Sequence, residues 1–358
     1  MKVLFTTNIP SPYRVDFFNE LGKYCDLTVA FTEKFHIERD RSWQDYNFVN
    51  FKGVFLKGYS VKNIRVCTEI KKIIKNGNFD KIICADFTSL TGMIAIKYMR
   101  RHKISYYLES DGGFAKSGKG LKEKLKRYYI KGAKGYFSTA CEHDKYYLAY
   151  GATEDKLMRY PFTSLKDEDI EKFVVSDEEK NKLRDKLAVK EEKIVLAVGQ
   201  FIHRKGFDVL LKATENFDNS VGFYFVGGNP TEEYLNYKKD NVHFIGFKNK
   251  SELKEYYRMS DMFVLPTRED IWGLVVNEAM ANGLPVVTTD KCIAGLELVK
   301  QGENGYIVPV DNVEELSKSI KFVLENNVDN KMGEKSLEII EDYTIEKMAK
   351  KHLKILGI

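Results

Sequence analysis

The sequence predicts an α/β chain built from two parallel-sheet domains. Three observations carry that expectation. The chain has 358 residues, which at about 150 residues per domain suggests two of them. Short apolar runs alternate along it with longer stretches of helical spacing, the pattern of successive βαβ units. The alternation pauses once, over 161–190 (PFTSLKDEDIEKFVVSDEEKNKLRDKLAVK), a charged segment without a strong strand, and then restarts.

In the first half the expected strands are 3–7, 27–31, 81–85, 105–108 and 136–139, with helical spacing over 15–24, 67–75 and 91–101. These strands are continuous apolar runs rather than clean alternations, as expected where helices cover both faces of a sheet. In the second half the expected strands are 194–198, 223–226, 242–245, 262–265, 286–289 and 306–308, with helices between them. The chain ends in a strongly helical stretch, 344–356. The expected division is an N-terminal domain over 1–162, a linker and first helix over 163–190, and a C-terminal domain over 191–343. The helix at 344–358 is expected to cross back to the first domain.

Composition removes several classes of function. With 43% hydrophobic residues, wholesale disorder is excluded. No run reaches 18 apolar residues, so no membrane-spanning helix is expected. The opening MKVLFTTNIPSPYR is too short in apolar residues for a secretory signal and fits a first strand better. The five cysteines (Cys25, Cys67, Cys84, Cys141, Cys292) are scattered and never in CxxC spacing. That argues against a disulfide framework and a cysteine zinc site, and makes the cytoplasm the expected compartment. There is no GxxxxGK[ST], no GxGxxG in a strand–turn–helix context, and nothing resembling a nucleic-acid-binding module. The net charge of +5 conceals a split: residues 1–160 carry 29 basic and 17 acidic side chains, residues 161–358 carry 28 and 35. The first half is the one suited to an anionic partner.

Open parallel sheets bind ligands beyond the carboxyl ends of their strands, and two facing domains would place a cleft there. Two stretches offer chemistry at such ends. In VLAVGQFIHRKG (195–206) a strand stops at Gly199, and Arg204 and Lys205 precede Gly206 and an amphipathic helix. Adjacent cations at a strand end beside a helix start suit a diphosphate; the alternative is a solvated loop pair. In FVLPTREDIWGLVVNEAMANGLPVV (263–287) a strand leads to Asp270 and a helix begins near Gly273. Gly273 would let a ligand approach the backbone, and the free N–H groups of Leu274 and Val275 would form an anion site. Glu278 lies in apolar helical company without a basic residue four positions away. Ribose hydroxyls would satisfy it; the alternative is an exposed Glu, or one bonded to backbone.

In these motifs the sequence resembles the family 4 glycosyltransferases of the GT-B fold. The resemblance rests on GQFIHRKG, VGG at 226–228, FIGF at 244–247 and REDIWGLVVNEAMANGLPVV, and is dense over 194–310. PSPYRVDFFNEL at 10–21 also looks like the opening of some bacterial members. The resemblance implies two Rossmann-like domains facing each other across a cleft, and retaining transfer of a sugar from a UDP- or GDP-linked donor. By the family pattern, Arg204 and Lys205 would grip the diphosphate, Glu278 the ribose, and Asp270 (more often Glu in the family) the sugar hydroxyls. The backbone of Gly246 and Phe247 would meet the base, and Gly199, Gly273, Leu274 and Val275 complete the donor set. The first βα loop, Asn8 to Arg14, lacks the family's frequent Gly-Gly, and a run of Glu109, Ser110, Asp111, Gly112 and Gly113 stands where a His is common.

Breaking a glycosyl–phosphate bond leaves negative charge on the diphosphate, which fixed cations and helix-start N–H groups stabilise. No tight His/Asp cluster is present, so neither a metal nor a further cofactor is expected. With no clear nucleophile, a front-face mechanism fits, the leaving phosphate taking the acceptor's proton. Asp111 and Glu109 are the first-domain candidates for orienting an acceptor; the alternative is an acid pair capping the next helix.

Residues 116–134 (KSGKGLKEKLKRYYIKGAK) hold eight basic residues and one acid, with Leu121, Leu125, Tyr128, Tyr129 and Ile130 interleaved. Such a helix can lie on an anionic membrane surface, or pack its apolar side on its own sheet. The expected partners are therefore a nucleotide-sugar donor, a glycan or lipid-linked acceptor and an anionic membrane surface, without nucleic acid. The expected place is the cytoplasm or the inner face of the cell membrane, and the expected role is surface-polysaccharide synthesis. Two other functions fit the same motifs: a nucleotide-sugar 2-epimerase, and a catalytically silent sugar-nucleotide-binding subunit.

Overall fold

The computed structural model describes residues 1–34, 47–61, 64–116, 118, 120–327 and 329–358. The chain divides into two compact units: Met1–Ser164 together with Thr344–Ile358, and Leu165–Tyr343. Both are parallel-sheet α/β structures, the fold class expected from the alternation.

The first unit contains β1 Lys2–Thr7, α1 Pro12–Leu21, β2 Asp26–Phe31, β3 Lys52–Phe55, β4 Tyr59–Val61, β5 Ile64–Val66, α2 Ile70–Asn76 and β6 Lys81–Cys84. It continues with α3 Leu90–Arg101, β7 Tyr107–Glu109, α4 Leu121–Ile130, β8 Gly135–Ser138, α5 Cys141–Ala149 and β9 Leu157–Arg159. Seven strands form one parallel sheet in the order β3-β2-β1-β6-β7-β8-β9, and β4 and β5 pair antiparallel beside it. The order reverses direction between β1 and β6, the place where such sheets bind ligands. Alternate residues of β1 feed two apolar layers. Leu4 joins Ile82, Cys84, Leu108 and Tyr136 in one core, while Phe5 turns the other way, its ring 4.9 Å from Phe18. The C-terminal helix, Ile345–Leu356, packs along α1 in this second layer, with its His352 ring 4.7 Å from Phe17 and stacked at 4.6 Å on Phe137.

The second unit contains α6 Asp177–Lys186, β10 Lys193–Val198, α7 Phe207–Ala213, β11 Val221–Val226, α8 Glu232–Leu235, β12 Val242–Ile245, α9 Lys250–Met259 and β13 Met262–Leu265. It ends with α10 Leu274–Ala281, β14 Val286–Thr289, α11 Ile293–Leu298, β15 Gly305–Val308, α12 Val313–Asn326 and α13 Lys331–Ile340. Its six-stranded parallel sheet runs β12-β11-β10-β13-β14-β15, the reversal falling between β10 and β13. Val195, Ala197, Phe223, Phe225, Val264 and Val287 supply the sheet's share of the core. At the amino ends of the strands, Arg184 of α6 donates to Asp261 (2.8 Å) and to the Met259 carbonyl (3.0 Å), docking that helix.

Four strands were not expected: β3, β4, β5 and β9. They are three or four residues long and, where described, mostly half-buried or exposed, so they lack the apolar run of a central strand. The strand expected at 105–108 begins later, at Tyr107, where pairing with β6 and β8 starts.

Candidate active site

The candidates of the second unit gather at the carboxyl ends of β10 and β13. After β10 the chain turns through Gly199 into a single tight helical turn, His203–Lys205, closed by Gly206 at φ +68°. Gly206 must be glycine: a Cβ there would lie 1.9 Å from the Pro266 carbonyl oxygen. That close approach sets the turn against the loop after β13. Lys205 Nζ donates to Asp270 Oδ2 at 2.6 Å, Arg204 Nη1 lies 3.5 Å from the same oxygen, and Arg204 also donates to the Glu269 carbonyl at 2.9 Å. Lys205 and Asp270 are nearly buried, whereas the Arg204 side chain is 47% exposed. The structure thus brings together three of the expected residues, separated by 65 positions in sequence.

Asp270 is held by its backbone, its N–H donating to the Lys291 carbonyl at 2.8 Å and its own carbonyl accepting from Ile293 at 3.2 Å. The buried Trp272 indole donates to Asn277 at 2.8 Å, which fixes the entry into α10. Gly273 precedes that helix at φ +104°. Leu274 and Val275, the first helical residues, are half-buried. Their N–H groups stand in the first turn, where no carbonyl of the helix itself reaches them. Glu278, one helical turn further on, accepts from the Tyr257 hydroxyl of α9 at 3.0 Å. Burial first, and the Glu278 carboxylate second, push that phenol well above its usual range, so Tyr257 remains a donor. Sequence reasoning missed Tyr257; the helical spacing of α9 gives it no mark. Gly246 and Phe247 follow β12 and are both exposed, with nothing near where a Gly246 Cβ would stand.

In the first unit the two acidic candidates separate. Asp111 is 32% exposed beyond the end of β7, with one oxygen bound by Arg14 and the other accepting from Tyr13 at 2.9 Å. Glu109, by contrast, is fully buried. Its carboxylate is shared among Arg14, the Tyr160 hydroxyl (3.3 Å) and His352 Nε2 of the C-terminal helix (3.0 Å). Burial alone would raise its pKa; the Arg14 charge, with His352, overrides that and holds it at about 2. Beside it, Ser110 Oγ lies 2.8 Å from His143 Nε2. His143 Nδ1 accepts from the Thr139 amide at 3.2 Å, so Nε2 carries the proton and the ring cannot serve as base to that serine. Among the described residues no group of three or more His, Cys, Asp or Glu could hold a metal ion.

Residues 117 and 119 of the basic stretch lie outside the described residues. In α4, Ile130 is buried and Tyr129 packs against the core, but Leu121 is 76% exposed and Leu125 and Tyr128 are exposed as well. Their spacing puts these three on one helical face. Lys122, Lys124, Arg127 and Lys131 around them are exposed, and the Arg100 guanidinium sits 4.1 Å over the Tyr128 ring. No helix among the described residues is long and apolar enough to cross a membrane.

Residues 179–341 match the family model described as glycosyl transferases group 1. That stretch is similar to the group 1 glycosyltransferases. It contains every donor-side candidate, from Gly199 to Glu278. An uncharacterised glycosyltransferase of Haemophilus influenzae is 36% identical over 176 residues, covering 46% of this chain and 49% of the relative. The chain thus spans about half the length of that curated relative. A Campylobacter jejuni protein is 25% identical over 270 residues, covering 72% of this chain and 71% of the relative. It is named N,N'-diacetylbacillosaminyl-diphospho-undecaprenol alpha-1,3-N-acetylgalactosaminyltransferase. Among solved structures, Anabaena HepE in complex with UDP superposes with a TM-score of 0.79 over 100% of both chains at 15% identity. Sucrose-phosphate synthase from Thermosynechococcus elongatus gives 0.76 over 100% of this chain and 98% of its own, at 16% identity. These likenesses show the fold of the matched stretch and of the unit that accompanies it.

Proposed function

We propose that this protein is a retaining glycosyltransferase that moves a sugar from a UDP- or GDP-linked donor to a glycan or lipid-linked acceptor, as a step in surface-polysaccharide synthesis. The observation that carries this reading is the meeting of Arg204, Lys205 and Asp270 at the carboxyl edge of the second sheet. The donor diphosphate would draw Lys205 and Arg204 toward its oxygens. Asp270 would then be free to accept from the sugar hydroxyls. As the glycosyl–phosphate bond breaks, the two cations and the α10 first-turn N–H groups stabilise the charge that grows on the leaving phosphate. The chain supplies that charge itself, so no metal is required. Glu278, oriented by Tyr257, holds the ribose. Asp111, fixed by Tyr13 and Arg14, orients the acceptor hydroxyl, and the leaving phosphate takes its proton.

The UDP bound in the HepE neighbour and the diphospho-undecaprenol acceptor in the Campylobacter relative's name support the choice of donor and acceptor class. A lipid-linked acceptor gives the outward face of α4 a use: Leu121, Leu125 and Tyr128 would enter an anionic leaflet, and the flanking cations would meet its headgroups.

A thermal-shift series with UDP-, GDP- and ADP-sugars identifies the donor. A ligand at 100 times its Kd adds about 2.7 kcal/mol. Turnover should then survive EDTA, yield a product with the donor's anomeric configuration, and disappear in Arg204→Ala and Glu278→Gln. Formation of an epimer from donor alone, without nucleoside diphosphate release, would replace this reading with an epimerase. Saturable donor binding without turnover across an acceptor panel would replace it with a silent binding subunit.

A further inference from the structure

Arg268 lies within the REDIWG motif, but the donor site as described gives it no task. Its guanidinium is largely buried, with 17% of the side chain exposed, and it ties three segments together. Nη1 and Nη2 make a bidentate pair with Asp208 in the first turn of α7, at 2.8 and 2.7 Å. Nη1 also donates to the His203 carbonyl at 2.7 Å, and Nε to Asp311, ahead of α12, at 2.7 Å. The Arg268 backbone N–H donates to the Arg204 carbonyl at 2.8 Å, and the buried Thr267 hydroxyl donates to the same oxygen at 2.9 Å. The Thr267 carbonyl is in turn held by the Thr289 hydroxyl at 2.6 Å. Two successive carbonyls of the turn bearing Arg204 and Lys205 are therefore gripped from positions 267 and 268.

We propose that Arg268 is the positioning residue of the diphosphate turn: it fixes where Arg204 and Lys205 point, and does not itself touch the donor. This rests on the reading of Arg204 and Lys205 as diphosphate ligands. The guanidinium has five N–H groups, and the four bonds from its side chain direct it inward, away from a third-cation role. The pair with Asp208 is also a firm one. Burial would raise the Asp208 carboxyl, but the Arg268 hydrogen bonds and charge bring it below the usual range. A planar fork is needed for this geometry, and lysine cannot reproduce it.

The test is the Kd of UDP and GDP, measured by titration calorimetry on the full chain. Arg268→Gln and Asp208→Asn should each weaken binding of whichever nucleotide the wild type takes by about tenfold, as a misplaced binding group does. The double variant should be little weaker than either single one, because the two act as a unit. Arg268→Lys, which keeps the charge and loses the fork, should resemble Arg268→Gln. Arg184→Gln is the control for lost stability, since it breaks a comparable arginine–aspartate contact at the opposite end of the sheet. The proposal is overturned if Arg268→Lys binds like wild type while Arg268→Gln does not, which would make Arg268 a direct phosphate ligand. It is equally overturned if Arg184→Gln weakens binding as much, or if Arg268→Gln leaves the Kd unchanged. A wild type that binds neither nucleotide would instead defeat the donor reading beneath it.

Discussion

Glu109 shows how far a side chain's role depends on partners remote in sequence. It stands next to Ser110 and close to Asp111, so on local grounds it belongs with the acceptor candidates. Its partners Arg14 and His352 are 95 and 243 positions away, and no local pattern announces them. Arg204, Lys205 and Asp270 were legible because each lies in a motif whose strand–turn–helix context fixes the end of the sheet it occupies. Removing one member of a buried ion pair strands the other, so Glu109→Ala should cost about 3–5 kcal/mol. Asp111→Asn, at a partly exposed site, should instead act mainly on acceptor turnover. The same buried groups set an acid limit. Glu109 falls from an ordinary 4.5 to about 2, so its stabilisation is complete above pH 4.5 and is lost as pH falls toward 2. His143 is lowered by burial from 6.5 to about 3, the Glu109 charge opposing only in part. Because the folded state resists protonating it, its stabilisation is complete above pH 6.5 and is lost as pH falls toward 3. Hydrogen-exchange protection of β7 and β8 should therefore weaken from pH 7 to pH 4. In His143→Gln the decline between 6.5 and 4.5 should be shallower; an unchanged slope would contradict the assignment.

At the level of elements, legibility followed burial. Central strands such as β1, β10 and β13 are covered on both faces and read as unbroken apolar runs. The edge strands β3 and β9 bury too little to leave such a run, and their existence depends on a neighbour's free edge rather than on their own residues. Two helices carry predictions. The start of α10 depends on Gly273, whose φ of +104° is unfavourable to any other residue and whose added Cβ would stand 2.8 Å from Cys292 Sγ. Gly273→Ala should cost about 1–2 kcal/mol in backbone strain, more from the contact, and should reduce donor affinity because the first-turn N–H groups shift. Titration with the identified donor checks this. In α4 the relation between stability and function reverses. Leu121 and Leu125 contribute little to the fold, so replacing both with Ser should leave stability within about 0.5 kcal/mol. If α4 meets a membrane, the same variant should float less well with anionic vesicles than the wild type. Equal flotation of both proteins would remove α4 from the membrane reading.

Across the whole molecule the charge split gains a specific meaning. The half that matches the group 1 model is net acidic, so the anionic donor proposed for it would be held by local groups, against the surrounding field. The chain's course has a consequence of similar weight. After completing the second unit it returns, through Ile345–Leu356, to finish the core of the first. That helix buries Ile345, Met348, Ala349, His352, Leu353 and Leu356, and supplies the His352 contact to Glu109. Truncating a single buried Ile, Leu or Met costs about 2–5 kcal/mol, and four such residues leave together if the helix is deleted. The sum exceeds or matches the 5–15 kcal/mol that typically holds a domain. A protein ending at Tyr343 should therefore lose the first unit, which proteolysis and hydrogen exchange would report as unprotected from β1 to β9. The second unit holds its own core, so it should stay folded and keep the nucleotide affinity of the full chain while losing transfer to acceptor. Retained protection of the first unit in that truncated protein would show that the helix is an accessory to this core. Loss of both units together would show that the two cores do not stand separately.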